Sequence, residues 1–130
     1  MLIVCRQAVD LKTTQEPETQ SREEEVILCR LCSSIITRSA HQTLVGATFS
    51  HTFANPHGHV FEIGCFTEAE GFVPVSRPSS EFTWFLGYSW EIGACSGCSA
   101  HIGWKFSLDS PSVSGPHRFY GLILDKLIFP

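Results

Sequence analysis

The stretch WFLGYSWEIGACSGCSAHIGW, from Trp84 to Trp104, contains all three tryptophans of the chain and one Cys-x-x-Cys pair, Cys95 and Cys98. Tryptophan combines a large apolar ring with a single N–H donor and is costly to leave in water. Three indoles beside a potential metal anchor predict a small, rigid aromatic pocket. The alternative interpretation is that the indoles simply fill the core of the domain.

A second Cys-x-x-Cys pair, CRLC, contains Cys29 and Cys32. Two residues between cysteines allow one tight turn to present both thiolates to tetrahedral zinc. Four thiolates leave no open coordination position, so the predicted site is structural, and it would contribute on the order of 10 kcal/mol to folding. Redox or disulfide use of a pair remains an alternative, although neither pair precedes a helix in a βαβ pattern.

Two cysteines remain outside these pairs. Cys5 lies near the start of the chain, and Cys65 lies in the apolar segment EIGCF, where a free cysteine usually packs as a small hydrophobe. A catalytic thiol would need a basic and partly exposed setting. The sequence therefore assigns no role to either cysteine.

The rest of the chain predicts one all-β domain over residues 26–130, preceded by a flexible acidic tail over residues 1–25. Short segments rich in Phe, Val, Ile and Thr alternate there with Gly, Pro, Asn and Ser. Strict alternation in the segment 101–106 would place Ile102, Trp104 and Phe106 on one face and His101 on the other. The predicted strands are residues 25–28, 35–37, 47–53, 60–66, 71–75, 89–94, 101–107 and 118–123.

Composition narrows the class of partner. A net charge of −4 and an isoelectric point near 5.8 argue against a nucleic-acid partner, which normally meets a basic face. No apolar run approaches the ~20 residues that span a bilayer, and the first residues lack the features of a signal peptide. We therefore expect no membrane partner and a reducing, cytoplasmic location.

Several unusual motifs follow one another along the chain: CRLC, FANPHG (residues 53–58), EFTWFLGYSW, CSGCSAHIGWKF and RFYGLILDKL. In these motifs and in their order, the chain resembles the CULT domain, the thalidomide-binding domain of cereblon. The resemblance is to the small single-domain bacterial members of that family in particular. The resemblance extends from Val26 to about Leu127. It implies two antiparallel sheets that meet at an angle, a β-tent, pinned by one zinc ion on Cys29, Cys32, Cys95 and Cys98.

The resemblance also implies a ligand site. Its walls would be Trp84, Trp90 and Trp104, with Phe106 at the base and Asn55 and Pro56 on a loop at the rim. Backbone groups around Phe82 and Trp84 would bind a cyclic imide. Many eukaryotic members carry His at the position of Phe82, and some bacterial members carry Tyr at that of Phe106. Backbone contacts to a ligand should be kept with Phe82, because they do not involve its side chain. Phe106 lacks the hydroxyl of Tyr, so the wall at this position is apolar. His57, beside the rim loop, is a further candidate for the rim.

The chemistry of an imide fits such a site, because the ring offers two carbonyl acceptors and one N–H donor. A backbone N–H and C=O can match part of this pattern, and an indole N–H can take the second carbonyl. We therefore expect a non-enzymatic module that binds cyclic imides: glutarimide, thalidomide-type ligands, a protein C-terminus bearing an imide, or a uracil-like ring. A chain of 130 residues leaves no room for the ligase-docking parts of cereblon, so a ubiquitin-ligase partner is not expected.

Two other functions stay open at this point. A methionine sulfoxide reductase of the B type has a similar sheet and two Cys-x-x-Cys turns, but it needs a nucleophilic cysteine on a late strand, and no cysteine follows Cys98. A zinc-stabilised protein-interaction domain would use the tryptophan cluster only as core.

Overall fold

Residues 25–130 are the part of the chain that the structure, a computed structural model, describes, and they form nine β-strands and two short 3-10 helices. The predicted tail, apart from Glu25, and Cys5 lie outside the described residues. The strands are β1 (Val26–Cys29), β2 (Ile35–Arg38), β3 (Ser50–Ala54), β4 (Val60–Phe66), β5 (Phe72–Pro74), β6 (Tyr88–Cys95), β7 (His101–Leu108), β8 (Arg118–Ile123) and β9 (Leu127–Ile128). The 3-10 helices are Ser39–His41 and Leu124–Lys126.

The strands pair into two antiparallel sheets, which confirms the predicted all-β class. The smaller sheet has three strands in the order β2-β1-β9, and the larger has six in the order β3-β4-β8-β7-β6-β5. Each of the predicted segments overlaps one strand, and the structure adds the two-residue β9. The predicted start of β3 was too early. Gly46 and Ala47 have positive φ in a turn that the Val45 N–H closes onto the Thr48 carbonyl at 3.0 Å, so extended backbone begins only at Ser50.

The larger sheet is apolar on both faces, because its strands alternate between two cores. On β8, Leu122 packs toward the smaller sheet, whereas Phe119 and Ile123 pack on the opposite side. The first core lies between the sheets and includes Ile27 and Phe66. The second core is mostly aromatic and is covered by the connections between strands, so the loops rather than a further sheet shape that side of the domain.

The predicted alternation of side chains between the two faces of β7 was wrong at the start of the strand. The register pairs Gly93 with Gly103 but Ala94 with His101, so β7 carries one extra residue, Ile102, at a β-bulge. A bulge interrupts the two-residue alternation of a strand. Ile102 consequently packs in the core between the sheets, while Trp104 belongs to the aromatic core and His101 lies against it.

Gly71, the residue before β5, marks a point where the backbone beside the larger sheet meets β2 of the smaller sheet. Its N–H donates to the Ile36 carbonyl at 2.9 Å, and a Cβ at this position would meet the carbonyl oxygen of Ile35 and, at 2.8 Å, the Cα of Ile36. A backbone cannot yield as a flexible side chain can. We therefore expect Gly71→Ala to lower the free energy of unfolding by about 1–3 kcal/mol, measured by urea denaturation.

A matched control for Gly71 is Gly121→Ala in β8. The nearest atom to its added methyl is Cδ1 of Ile63, the end of a flexible side chain, at 2.8 Å. This variant should lose less stability than Gly71→Ala. An equal or larger loss at Gly121 would contradict the proposed contact between the sheets.

Candidate metal centre and aromatic cavity

The structure brings the two Cys-x-x-Cys pairs together at one point. The Sγ atoms of Cys29, Cys32, Cys95 and Cys98 all lie within 4.8 Å of one another. Cys29 and Cys98 are 3.7 Å apart, Cys32 and Cys95 are 3.5 Å apart, and none of the four forms a disulfide. Zn–S bonds of ~2.3 Å in a tetrahedron place sulfurs roughly 3.8 Å apart. The four cysteines are thus close enough to hold a metal ion, and their spacing fits that geometry.

Both pairs sit in turns with the same hydrogen bonds. The Cys29 N–H donates to the Ser34 carbonyl and the Ser33 N–H to the Cys29 carbonyl, each at 2.8 Å. In the second turn the Cys95 N–H donates to the Ala100 carbonyl, and the Ser99 N–H donates to the Cys95 carbonyl, again at 2.8 Å each. The serine that follows each pair has a left-handed backbone, with φ of 66° and 67°. Each motif is thus Cys-x-x-Cys-Ser, a repeat that extends beyond the cysteines themselves.

The thiols of the cluster differ in how readily they ionise. The hydrogen bond between Cys32 Sγ and Ser34 Oγ, which lie 3.1 Å apart, is the main cause that lowers the pKa of Cys32 to about 6. Burial raises the pKa of Cys95 instead. Neighbouring thiolates repel one another, so all four groups lose their protons together only when a cation compensates them. The donor set therefore suits a thiophilic divalent metal.

Cys65 lies apart from this cluster. It is buried in the aromatic core on β4, and burial raises the pKa of its thiol to about 12. A thiol held neutral and away from solvent is a poor nucleophile. Its surroundings match those of a cysteine that packs as a small hydrophobe.

A cavity of about 620 Å³ opens at the edge of the aromatic core. Its lining includes the site residues that the sequence and the resemblance suggested: Asn55, Pro56, Phe82, Trp84, Trp90, Trp104 and Phe106. It also includes residues that were not assigned to the walls: Phe61, Ser79, Glu81, Ile92 and His101. His57 lies at the same cavity. Phe61 on β4 and Ser79 in a loop lie outside every motif of the sequence, which is why sequence patterns missed these two. The role of these residues in binding stays a prediction.

Edge-to-face contacts hold the indoles in place. The rings of Trp84 and Trp104 have centroids 4.7 Å apart, and their planes lie at 70° to each other. The ring centroids of Phe61 and Trp104 are 5.1 Å apart, with an angle of 76° between the ring planes. Trp90 stands opposite Phe106 in the β6–β7 register. Aromatic pairs favour these tilted arrangements over flat sandwiches. The cavity is therefore bounded by rings that brace one another.

Two of the three indole N–H groups are already used within the protein. Trp84 Nε1 donates to the Ala54 carbonyl at 3.1 Å, and Trp90 Nε1 donates to the Glu81 carbonyl at 2.8 Å. These bonds tie the cavity walls to neighbouring backbone. The expectation that an indole N–H takes a ligand carbonyl is thus restricted to Trp104, whose N–H has no partner among residues 25–130.

The backbone of Phe82 and Trp84, which we call the lip of the cavity, has an unusual conformation at Phe82. Phe82 adopts a left-handed conformation, with φ of 57°, and its side chain is 73% exposed. The backbone N–H and C=O groups of Phe82 and Trp84 form no hydrogen bond within residues 25–130. Left-handed backbone costs a bulky residue of the order of 1 kcal/mol, and such strain is concentrated at binding sites. The lip therefore presents unpaired donors and acceptors beside apolar walls.

Asn55 also lines the cavity, and its side chain organises the loop after β3. Its Oδ1 accepts hydrogen bonds from the backbone N–H groups of His57 and His59 at 3.0 and 2.9 Å. Asparagine supports tight turns in this way. The Asn55 oxygen is thus engaged in the loop, and Pro56 is held at the rim by it.

No family model matches the chain. Curated relatives named "Protein cereblon" do match. The chain is 42% identical to that of Danio rerio over 76 residues, which cover 58% of this chain and 17% of the relative. It is 33% identical to that of Gallus gallus over 104 residues, which cover 78% of this chain and 23% of the relative. It is 31% identical to that of Drosophila yakuba over 106 residues, which cover 78% of this chain and 18% of the relative.

With its two antiparallel sheets and four-cysteine cluster, this chain is a cereblon-like domain of the CULT type. It spans only about a fifth of the length of the curated relatives that it matches. Among the described residues, none of the helices is long and apolar enough to cross a membrane.

Proposed function

We propose that this domain is a non-enzymatic binding module that holds a cyclic imide in its aromatic cavity and is stabilised by one structural zinc ion. Its ligand would be a small imide or a protein C-terminus that bears one. We propose neither a nucleic-acid nor a membrane partner, and no role in ubiquitylation for this chain alone. The observation that carries the proposal is the lip: unpaired backbone groups of Phe82 and Trp84 beside the indole walls.

The polar pattern of an imide is complementary to this lip. The ring N–H can donate to a backbone carbonyl, and one ring carbonyl can accept from a backbone N–H. The other ring carbonyl can accept from the free indole N–H of Trp104. Methylene groups of the ring would then contact the faces of the surrounding indoles, where burial of apolar surface adds affinity.

The size of the ligand limits its affinity. A ring of about eight heavy atoms with three hydrogen bonds should gain about 6–8 kcal/mol, which corresponds to a Kd of roughly 1–100 µM. Tighter binding would require contacts outside the ring. The aromatic walls would also attract a quaternary ammonium ion, but such a cation would leave the backbone groups at the lip unpaired.

Isothermal titration calorimetry with glutarimide tests the proposal directly. We expect saturable binding in the micromolar range. N-methylglutarimide, which keeps the ring but loses its N–H donor, should bind at least tenfold more weakly because a backbone carbonyl is left unpaired. The absence of glutarimide binding up to millimolar concentration would rule out the imide site, and equal affinity for the methylated ring would rule out the backbone contacts.

The four cysteines support zinc as the metal that this proposal includes. Cysteine thiolates select zinc among the abundant divalent ions that have no redox chemistry, and a closed four-thiolate site is typical of structural zinc. Zinc would be held by Cys29, Cys32, Cys95 and Cys98, where it would supply charge compensation and a cross-link between the two turns.

A further inference from the structure

The four-cysteine cluster is buried on one side and open to solvent on the other. Cys29 and Cys95, the first cysteine of each turn, are buried, whereas Cys32 and Cys98, the second cysteine of each turn, are exposed. Oxidation of cysteine by small reagents depends on the exposure of its sulfur. The cluster therefore has an accessible half at which chemistry on sulfur can begin.

The exposed sulfur of each turn lies against the buried sulfur of the other turn. Cys32 Sγ is 3.5 Å from Cys95 Sγ, and Cys98 Sγ is 3.7 Å from Cys29 Sγ. The turns pack tightly at the first of these contacts, because a Cβ on Gly97 would meet the Cys32 sulfur at 3.0 Å. A disulfide has a sulfur–sulfur distance of ~2.05 Å, so these two sulfurs need to approach each other by only about 1.5 Å.

We propose that Cys32 is a site of oxidation by hydroperoxides, at which the domain exchanges its metal cross-link for a disulfide between Cys32 and Cys95. This inference rests on the metal site of the proposed function and is independent of the imide cavity. The new bond would join the same two turns that the metal ion joins. It differs from a disulfide within one Cys-x-x-Cys pair, which would leave the turns unconnected.

The reaction has two steps, and hydrogen peroxide is the oxidant. The Cys32 thiolate attacks one peroxide oxygen; the S–O bond forms, the O–O bond breaks, hydroxide leaves and a sulfenic acid remains. The Cys95 thiolate then attacks the sulfenic sulfur; the S–S bond forms, the S–O bond breaks and a second hydroxide leaves. The two sulfurs together lose two electrons, which the peroxide gains. Only Cys29 and Cys98 then remain as ligands, too few for a structural zinc site.

The test treats the full, zinc-loaded chain with hydrogen peroxide. Zinc release is followed with a chelating dye, and disulfides are mapped by mass spectrometry after the remaining thiols have been alkylated. We expect about one disulfide, between Cys32 and Cys95, for each zinc ion released. Dithiothreitol and added zinc should then restore the starting state, because a disulfide is reversible whereas a sulfinic acid is not.

Thermal stability separates the cross-link from a simple loss of metal. The disulfide joins residues 63 positions apart and so restricts the unfolded chain. The oxidised protein should therefore melt at a higher temperature in circular dichroism than reduced protein from which a chelator has removed the zinc. Cys5→Ser and Cys65→Ala remove the two cysteines outside the cluster and serve as controls. Both variants should form the same disulfide and release the same amount of zinc.

The outcomes distinguish this inference from the proposed function. A first disulfide between any other pair of cysteines would overturn the inference, as would zinc release without a disulfide or a cluster that peroxide leaves intact. An oxidised protein no more stable than the zinc-free reduced one would also overturn it. In each of these cases the metal site and the imide site of the proposed function stand. If the freshly purified, reduced protein holds no zinc, the metal site fails and the inference fails with it.

Discussion

Replacement of Cys98 by Ser should unfold much of the domain, although the Cys98 side chain is exposed. Surface substitutions usually change stability by less than about 0.5 kcal/mol. A metal ligand is different, because loss of a four-thiolate zinc site removes on the order of 10 kcal/mol of folding free energy. Cys98 is in the exposed half of the cluster, so little packing is lost with its sulfur. The expected result is a cooperative transition in the wild type that is weakened or absent in Cys98→Ser, measured by thermal circular dichroism.

The control for this prediction is Cys65→Ala. Cys65 is buried but stands outside the metal cluster, so its loss should cost only the small amount typical of one trimmed core side chain and should leave the zinc content unchanged. Zinc in freshly purified, reduced protein is measured by atomic emission, with about one ion per chain expected. If Cys98→Ser were as stable as Cys65→Ala, or if the wild type held almost no zinc, the four-thiolate site would be refuted.

The second large effect is expected at Trp90. Trp90→Ala removes one wall of the cavity and the hydrogen bond to the Glu81 carbonyl that holds the lip. Truncation of a central aromatic residue in a binding site commonly costs 2 kcal/mol or more, about thirtyfold in affinity. We therefore expect the glutarimide Kd to rise by at least that factor in calorimetry. Trp90 is only partly buried, so the variant should remain folded.

Two further variants resolve the contribution of Trp90. Trp90→Phe keeps an aromatic wall and loses the N–H, and it should show an intermediate affinity. Phe129→Ala removes an aromatic side chain that is 40% exposed and does not line the cavity, and it should bind as the wild type does. Unchanged glutarimide binding in Trp90→Ala would show that the tryptophans serve the core and not a ligand.

Much of the fold could be read from the sequence because its strongest signals are local. Strand positions followed from β-rich segments between turn residues, and the metal cluster followed from two Cys-x-x-Cys pairs, whose turns present both sulfurs on one side. The short β9 carried no such signal. Its two residues, Leu127–Ile128, become a strand only because β1 offers an edge to pair with.

The details that the sequence did not predict depend on tertiary contacts. The bulge at Ile102 is defined by pairing between β6 and β7, and it reversed the expected orientation of His101. The left-handed backbone of Phe82 is an unusual choice for a bulky residue and is imposed by its surroundings. The carbonyl partners of Trp84 and Trp90 lie on other segments of the chain, so no local pattern indicates that these indole N–H groups are engaged.

The placement of the tryptophans has a spectroscopic consequence. Every tryptophan of the sequence lines the cavity, so excitation at the red edge of the indole band reports on the cavity without background from elsewhere in the chain. Two of the indoles have their N–H bonded to backbone and the third does not, so emission from the three should respond differently to the entry of a polar ring. Variants that retain a single tryptophan would convert the three walls into three separate optical probes, each read without any added label.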